Sequence, residues 1–318
     1  MFTKLLTPLD GSSIAEGAVG VAASIAQTSR AALDLLLVDQ PFPFDGFGTE
    51  PWTAAVLDEE REYLTAVADQ VARATSIPVT HAVMRGDPVE RICQRIGDMR
   101  ADLVVMTSHG RTGIGRMWLG SVADGVLRYA TAPVLMLRGR EGGVRELSRP
   151  LPFGHILVPV DGSAWSAEIL DAASQLGLCS GAQITLLRIV PPVTKPSEAP
   201  VPFTYVPTIV DETATNRRAG EARVQLAEEA RRLHDASGLA VDWHVGIDAQ
   251  VANGILGFAR DNQVDLIAMS THGRGMSRYL LGSIADKVLR GSGLPMLLCR
   301  PLGARARTQP LEAAVAHA

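Results

Sequence analysis

The chain has 318 residues, is 47% hydrophobic, and carries 30 basic against 34 acidic side chains for a net charge of −4. That balance gives no electrostatic reason to expect nucleic acid or an anionic membrane surface as a partner. No uncharged apolar run reaches membrane-spanning length and the N-terminus passes straight into strand-like sequence, so a cytoplasmic protein without a secretory leader is expected.

Leu5 to Leu9 reads as a buried strand, and Ser13-Ile-Ala-Glu16 as a capping box opening a helix to about Ser29. Leu33 to Val38 gives the next strand. Gln40 to Trp52, rich in Pro, Gly and Phe, reads as a loop. Its Phe42, Phe44, Phe47 and Trp52 either cover an adenine or pack on one another, the second being the commoner case. A helix follows to about Ala74, then a strand from Val79 to Val83. Asp87-Pro88 starts another helix, with a capping side chain followed by a proline whose missing N–H costs nothing there. Val89, Ile92, Cys93 and Ile96 fall at i, i+3, i+4 and i+7, one apolar face. Leu103 to Met106 is a strand running into a glycine-rich loop. Val122, Ala123, Val126 and Leu127 mark the next helix, and Val134 to Leu137 closes the unit. Strands alternating with helices imply crossover connections and a mostly parallel sheet covered on both faces.

The unit then repeats. Leu5-Leu-Thr-Pro8-Leu-Asp10-Gly-Ser12 returns as Ile156-Leu-Val-Pro159-Val-Asp161-Gly-Ser163, and Ala101 to Thr107 as Val264 to Ser270. Ala132-Pro133-Val-Leu-Met-Leu-Arg138 returns as Leu294-Pro295-Met-Leu-Leu-Cys-Arg300. The offset is 151 residues at the Asp10/Asp161 pair and 163 at Gly110/Gly273. The slip places extra length inside the second half, where the proline-rich stretch Pro191 to Asp211 is the loop to hold it. In the second half Asp248 reads as a helix cap, with Val251, Ile255 and Ala259 on a buried face. Two domains are expected, 1–140 and 155–301, joined by a linker at 141–154 and followed by a poorly ordered tail at 302–318. Cys93, Cys179 and Cys299 are widely spaced with no CxxC, which reads as free thiols rather than a metal site or a disulfide.

The chemistry sits in the loops past two strand ends. Thr107-Ser-His-Gly110-Arg-Thr-Gly-Ile-Gly-Arg-Met-Trp-Leu-Gly120-Ser121 recurs, nearly intact, as Ser270 to Ser283. Glycines let main chain approach a phosphate, and a helix starting at Ser121 offers free N–H groups and a favourable dipole. Asp10 and Asp161 follow buried strands, where a carboxylate is costly unless a cap or a ligand uses it. His109 and His272 read as turn residues holding the loop rather than catalytic bases. Arg111, Arg116, Arg274 and Arg278 either screen phosphate or are solvated. No Gly-x-x-x-x-Gly-Lys-[Ser/Thr] loop occurs, and no GxGxxG follows a strand.

These residues resemble the universal stress protein family over both halves. Its nucleotide-binding branch has Gly, two residues, Gly, nine residues, then Gly-Ser/Thr. Gly110 and Gly120-Ser121 match with the nine-residue spacing, while Thr107 stands at the first glycine. Gly273 and Gly282-Ser283 match with eight residues between, and Ser270 stands at the first glycine. The resemblance implies two tandem Rossmann-like domains, each a five-stranded parallel sheet with helices on both faces, and ATP across the carboxyl strand ends. It implies that Pro8 and Asp10 border the nucleoside, that the Val38 main chain meets adenine, and that Gly110, Gly120, Ser121 and Val122 hold phosphates beside Thr107. The second-half counterparts are Pro159, Asp161, Ile189, Ser270, Gly273, Gly282, Ser283 and Ile284. Magnesium would accompany tight ATP binding. Family members pair through their last strands, so Val134–Leu137 and Met296–Leu298 are expected to make an internal pseudo-dimer, with a homodimer as a further assembly. A regulatory ATP-binding protein with slow hydrolysis is the leading expectation. An ATPase or adenylyl-transferring enzyme, and a nucleotide-free scaffold, are the alternatives.

Overall fold

The computed structural model describes residues 1–40, 50–108, 119–138, 151–163, 166–197, 208–271 and 281–300. The expectations for loop 41–49, for most of the linker, for the tail, and for Gly110, Gly273 and their neighbouring histidines and arginines fall outside those residues.

In the first half β1 (Lys4–Leu9), α1 (Ser13–Ser29), β2 (Ala32–Asp39), α2 (Glu50–Thr75) and β3 (Val79–Arg85) alternate, followed by α3 (Pro88–Met99), β4 (Leu103–Thr107), α4 (Ser121–Tyr129) and β5 (Val134–Leu137). The second half repeats the order with β6 (His155–Pro159), α5 (Ser166–Ser180), β7 (Gln183–Val190), a ribbon of β8 (Thr194–Pro196) and β9 (Thr208–Val210), and α6 (Glu212–Ser237). It closes with β10 (Val241–Ile247), α7 (Val251–Asp261), β11 (Leu266–Ser270), α8 (Ser283–Gly291) and β12 (Met296–Cys299). The proline-rich stretch read as a plain loop therefore holds a short antiparallel ribbon, Thr194 facing Val210.

All the large strands form one ten-stranded sheet in the order β10-β7-β6-β11-β12-β5-β4-β1-β2-β3. Within this sheet pairing is parallel in each half and antiparallel at the seam, where Met296, Leu297 and Leu298 of β12 face Met136, Leu135 and Val134 of β5. The expected internal pseudo-dimer is present. One apolar cluster packs α1, α2, α5 and α6 on one face, and a second packs α3, α4, α7 and α8 on the other. Strand residues divide between them by alternation, Leu5 to the first and Leu6 to the second. The inner strands β4, β5 and β12 are buried at every position, whereas edge strands β3 and β10 are mostly half-buried or exposed.

Two caps differ from expectation by a residue or two. Ser12, not Ser13, caps α1: its hydroxyl accepts the Ala15 N–H at 3.2 Å, and Glu16 instead accepts the Tyr63 hydroxyl at 2.9 Å. Helix α7 starts from Gln250; Asp248 stands two residues earlier and accepts the Gln250 N–H at 2.7 Å. Asp87 caps α3 as expected, accepting the Glu90 N–H at 2.9 Å. Helix α2 begins at Glu50, so Trp52 lies inside a helix rather than in the preceding loop.

Candidate functional site

In each half the chain builds outward from the first strand to the third, then returns to lay the fourth strand on the other side of the first. Strand order therefore reverses between β1 and β4, and between β6 and β11. Such a reversal opens a crevice at the carboxyl strand ends, because the loops on its two sides lead away in opposite directions.

The first wall is a βα turn. After β1 and β6 the chain passes through Asp10-Gly11 and Asp161-Gly162, with the glycines at φ 77° and 76°, a left-handed conformation that a Cβ disfavours. Asp10 Oδ1 accepts the Ser12 N–H at 3.0 Å and its hydroxyl at 2.6 Å; Asp161 Oδ1 accepts the Ser163 N–H at 2.9 Å. Each carboxylate closes a local turn, which fixes its place at the strand end.

The second wall is the loop past β4 and β11. Ser108 N–H donates to the Leu137 carbonyl at 2.9 Å, and Gly120 N–H returns to the Ser108 carbonyl at 2.8 Å. The second half repeats this with Thr271 on Cys299 at 2.8 Å and Gly282 on Thr271 at 2.7 Å. Both loops are thus cinched at the base, and each delivers a glycine as the N-cap of the next helix. Neither Gly120 nor Gly282 supplies a side-chain cap to α4 or α8, whereas Ser12, Asp87 and Asp211 cap α1, α3 and α6. Helix α7 also starts without a side-chain cap. A first turn without a capping oxygen presents its N–H groups and positive dipole end to an anion.

In the second half the two walls enclose a cleft of about 1050 Å³. That is slightly above the roughly 300–1,000 Å³ typical of small-molecule sites. Pro159, Asp161, Ile189, Ser270, Gly282, Ser283 and Ile284 all line it, so every second-half candidate among the described residues faces one space. In the first half Pro8 and Val38 lie near the carboxyl ends of β1 and β2, Asp10 just past β1, and Thr107 ends β4. Gly120, Ser121 and Val122 open α4 on the same sheet edge.

The cleft also holds residues that the motifs do not mark: Arg188 at the end of β7, and Arg218, Glu221 and Gln225 on α6. Arg188 Nη1 donates to Gln225 Oε1 at 2.8 Å. Its guanidinium lies over the Asp161-Gly162 turn, so near that a Cβ on Gly162 would stand 2.8 Å from Nη1. Glu229, farther along α6, is half-buried and its carboxyl is pushed up by burial, with the charges of Arg188 and Arg232 pulling it back. Sheet register shows what Arg188 replaces. Pro8 pairs with Leu36 and Pro159 with Leu187, so Arg188 stands where the first half has Leu37, a buried core residue. A cation in a strand whose repeat partner is leucine is the sequence signal that would have found it.

A doubly wound sheet, duplicated in one chain with a strand-order reversal in each half, defines the class. The universal stress protein family model matches residues 1–138 and 152–300, and the chain belongs to that family. A universal stress protein of Mycolicibacterium smegmatis is 26% identical over 311 residues, covering 93% of this chain and 97% of its own. A Thermus aquaticus universal stress protein, named for its place beside a sulfhydrylase gene, is 34% identical over 139 residues, 43% of this chain and all of its own length. Among solved structures, a universal stress protein from Archaeoglobus fulgidus superposes with a TM-score of 0.62 at 21% identity, covering 94% of this chain and 96% of that one. The last likeness is one of fold.

Proposed function

We propose that this chain is a regulatory protein of the stress response that binds ATP or a related adenine nucleotide and acts, in the cytoplasm, through its nucleotide-loaded state. The observation that carries the reading is the second-half cleft, which gathers Pro159, Asp161, Ile189, Ser270, Gly282, Ser283 and Ile284 around the uncapped start of α8. The residues fit the ligand. The N–H groups of the first α8 turn and the Ser283 hydroxyl suit phosphate. Asp161 suits a ribose hydroxyl, and the Ile189 main chain an adenine edge. In the first half Pro8, Asp10, Val38, Thr107, Gly110, Gly120, Ser121 and Val122 make the equivalent set. Magnesium would come with the polyphosphate. The gathered parts are binding parts, backbone donors and a hydroxyl, so slow hydrolysis belongs to the reading.

The test is to purify the protein without added nucleotide, denature it and quantify released adenine nucleotide per chain, then titrate the emptied protein with ATP. Two equivalents per chain are expected, falling to one in Gly282→Asp, where a carboxylate would stand at the start of α8. Protein that carries no nucleotide and ignores added ATP would overturn the proposal.

A further inference from the structure

The two crevices are built alike at the phosphate end and unlike at the opposite end. In the second, the face of α6 presents Arg218, Glu221, Ala222 and Gln225 to the cleft, the i, i+3, i+4, i+7 spacing of one helical stripe. Gln225 holds one arm of Arg188 and so steadies the guanidinium above the turn that carries Asp161. Arg188 makes no salt bridge at contact distance among the described residues, although its charge acts on Glu229 of the facing helix. At the matching register the first half has Leu37, which is 3% exposed and packs in the core.

At one ribose oxygen an acid at a strand end takes a free hydroxyl, whereas an arginine accommodates a phosphate; with both present, Asp161 would take one ribose hydroxyl and Arg188 a phosphate on the other. Arg188 and Asp161 stand in that relation, with Arg218 as a second cation on the same side of the cleft. We infer that the second cleft prefers an adenine nucleotide carrying an additional phosphate on its ribose, at the 2′ or 3′ oxygen, and that Arg188 is the residue that confers this preference. The cleft's size leaves room for the extra group. The inference rests on the nucleotide reading above and adds a specificity that the first crevice, with Leu37, does not have.

The experiment is calorimetric titration of the full chain, emptied of nucleotide, with four probes: AMP, ATP, adenosine 2′,5′-bisphosphate and adenosine 3′,5′-bisphosphate. One bisphosphate should bind one site per chain about 10- to 100-fold more tightly than AMP, the range expected for a charge-assisted pair. Which isomer gains decides between the 2′ and 3′ positions. Arg188→Leu, the residue the first half uses at this register, should abolish the gain, bringing the favoured bisphosphate down to the affinity of AMP in the same variant. Arg188→Lys should keep part of the gain, because a point charge replaces the fork. The inference is overturned if neither bisphosphate exceeds AMP, or if the preference survives in Arg188→Leu. ATP binding with no bisphosphate preference sinks this inference alone; failure of all four probes sinks the nucleotide reading with it.

Discussion

Thr7 shows how small the residue-scale differences between the halves are. It is fully buried in β1, and its hydroxyl has no hydrogen-bond partner among the described residues. The second half has Val158 at the same register, one residue before Pro159. Burying an unsatisfied hydroxyl costs free energy that a methyl of the same shape does not. Thr7→Val should therefore stabilise the protein by about 1 kcal/mol, read as a raised urea midpoint with unchanged slope. The cysteines supply a second residue-scale case. Burial pushes the Cys93 thiol up to about 12, with Arg300 pulling it down and Asp87 raising it. Cys299 is pushed up to about 12 as well, by burial and then by the charges of Glu168 and Asp171. In both, the fold favours the neutral thiol. Their contribution is fully present below the ordinary thiol value of 9.0 and is lost as pH rises through about 12. The urea midpoint should thus fall between about pH 9 and 12, and less so in Cys93→Ala/Cys299→Ala. At about pH 8 a thiol reagent should label these two slowly in native protein and quickly after denaturation.

At the scale of elements, α3 is pinned to β2 by a buried ion pair. Asp34 is 1% exposed and accepts Arg95 Nε and Nη2, both at 2.8 Å, together with the Thr80 hydroxyl. Removing the arginine alone strands a buried carboxylate. Arg95→Met should cost about 3–5 kcal/mol in urea unfolding, while Asp34→Thr with Arg95→Met should recover most of it. The second half shows that the exchange is compatible with the fold: Thr185 occupies the Asp34 register and shares a hydrogen bond with His155 at 2.8 Å. A double variant as unstable as the single one would mean the pair itself, not the orphaned charge, sets the cost. Element-scale features were legible where pattern and spacing agreed. Val134–Leu137 and Met296–Leu298 read as buried closing strands because every residue is apolar, and their pairing with each other was implied by the family resemblance. The β8–β9 ribbon was not legible, since three-residue strands have no periodicity to read. Adjacent serines hid which one caps α1, because Ser12 and Ser13 offer the same oxygen. Arg188 escaped the motif reading because its role comes from a helix 37 residues later in the chain, a proximity that only the fold creates.

The whole molecule is held at its middle. Leu135 of β5 and Leu297 of β12 face each other across the seam, both with no exposed surface, and each apolar cluster runs through both halves. Beyond the strands, two arginines at matching positions reach across. Arg138 Nη2 donates to the Leu289 carbonyl at 3.4 Å and Arg300 Nη1 to the Arg128 carbonyl at 2.9 Å, each at the carboxyl end of the other half's helix. A cation there satisfies an orphan carbonyl and opposes the helix dipole. Those helices, α4 and α8, are the ones whose first turns border the crevices, so the seam and both candidate sites share the same two elements. Residues 1–140 expressed alone would leave β5 as an open edge flanked by apolar side chains, a surface that seeks another strand. They should sediment at twice the chain mass, two copies pairing antiparallel about Leu135 as β12 does in the intact protein. Adding residues 155–301 should convert that species to a one-to-one complex, because β12 supplies the matched Met296, Leu297 and Leu298 face. A first half that stays folded and monomeric would show that the seam is dispensable, and would separate the stability of each domain from the pairing that joins them.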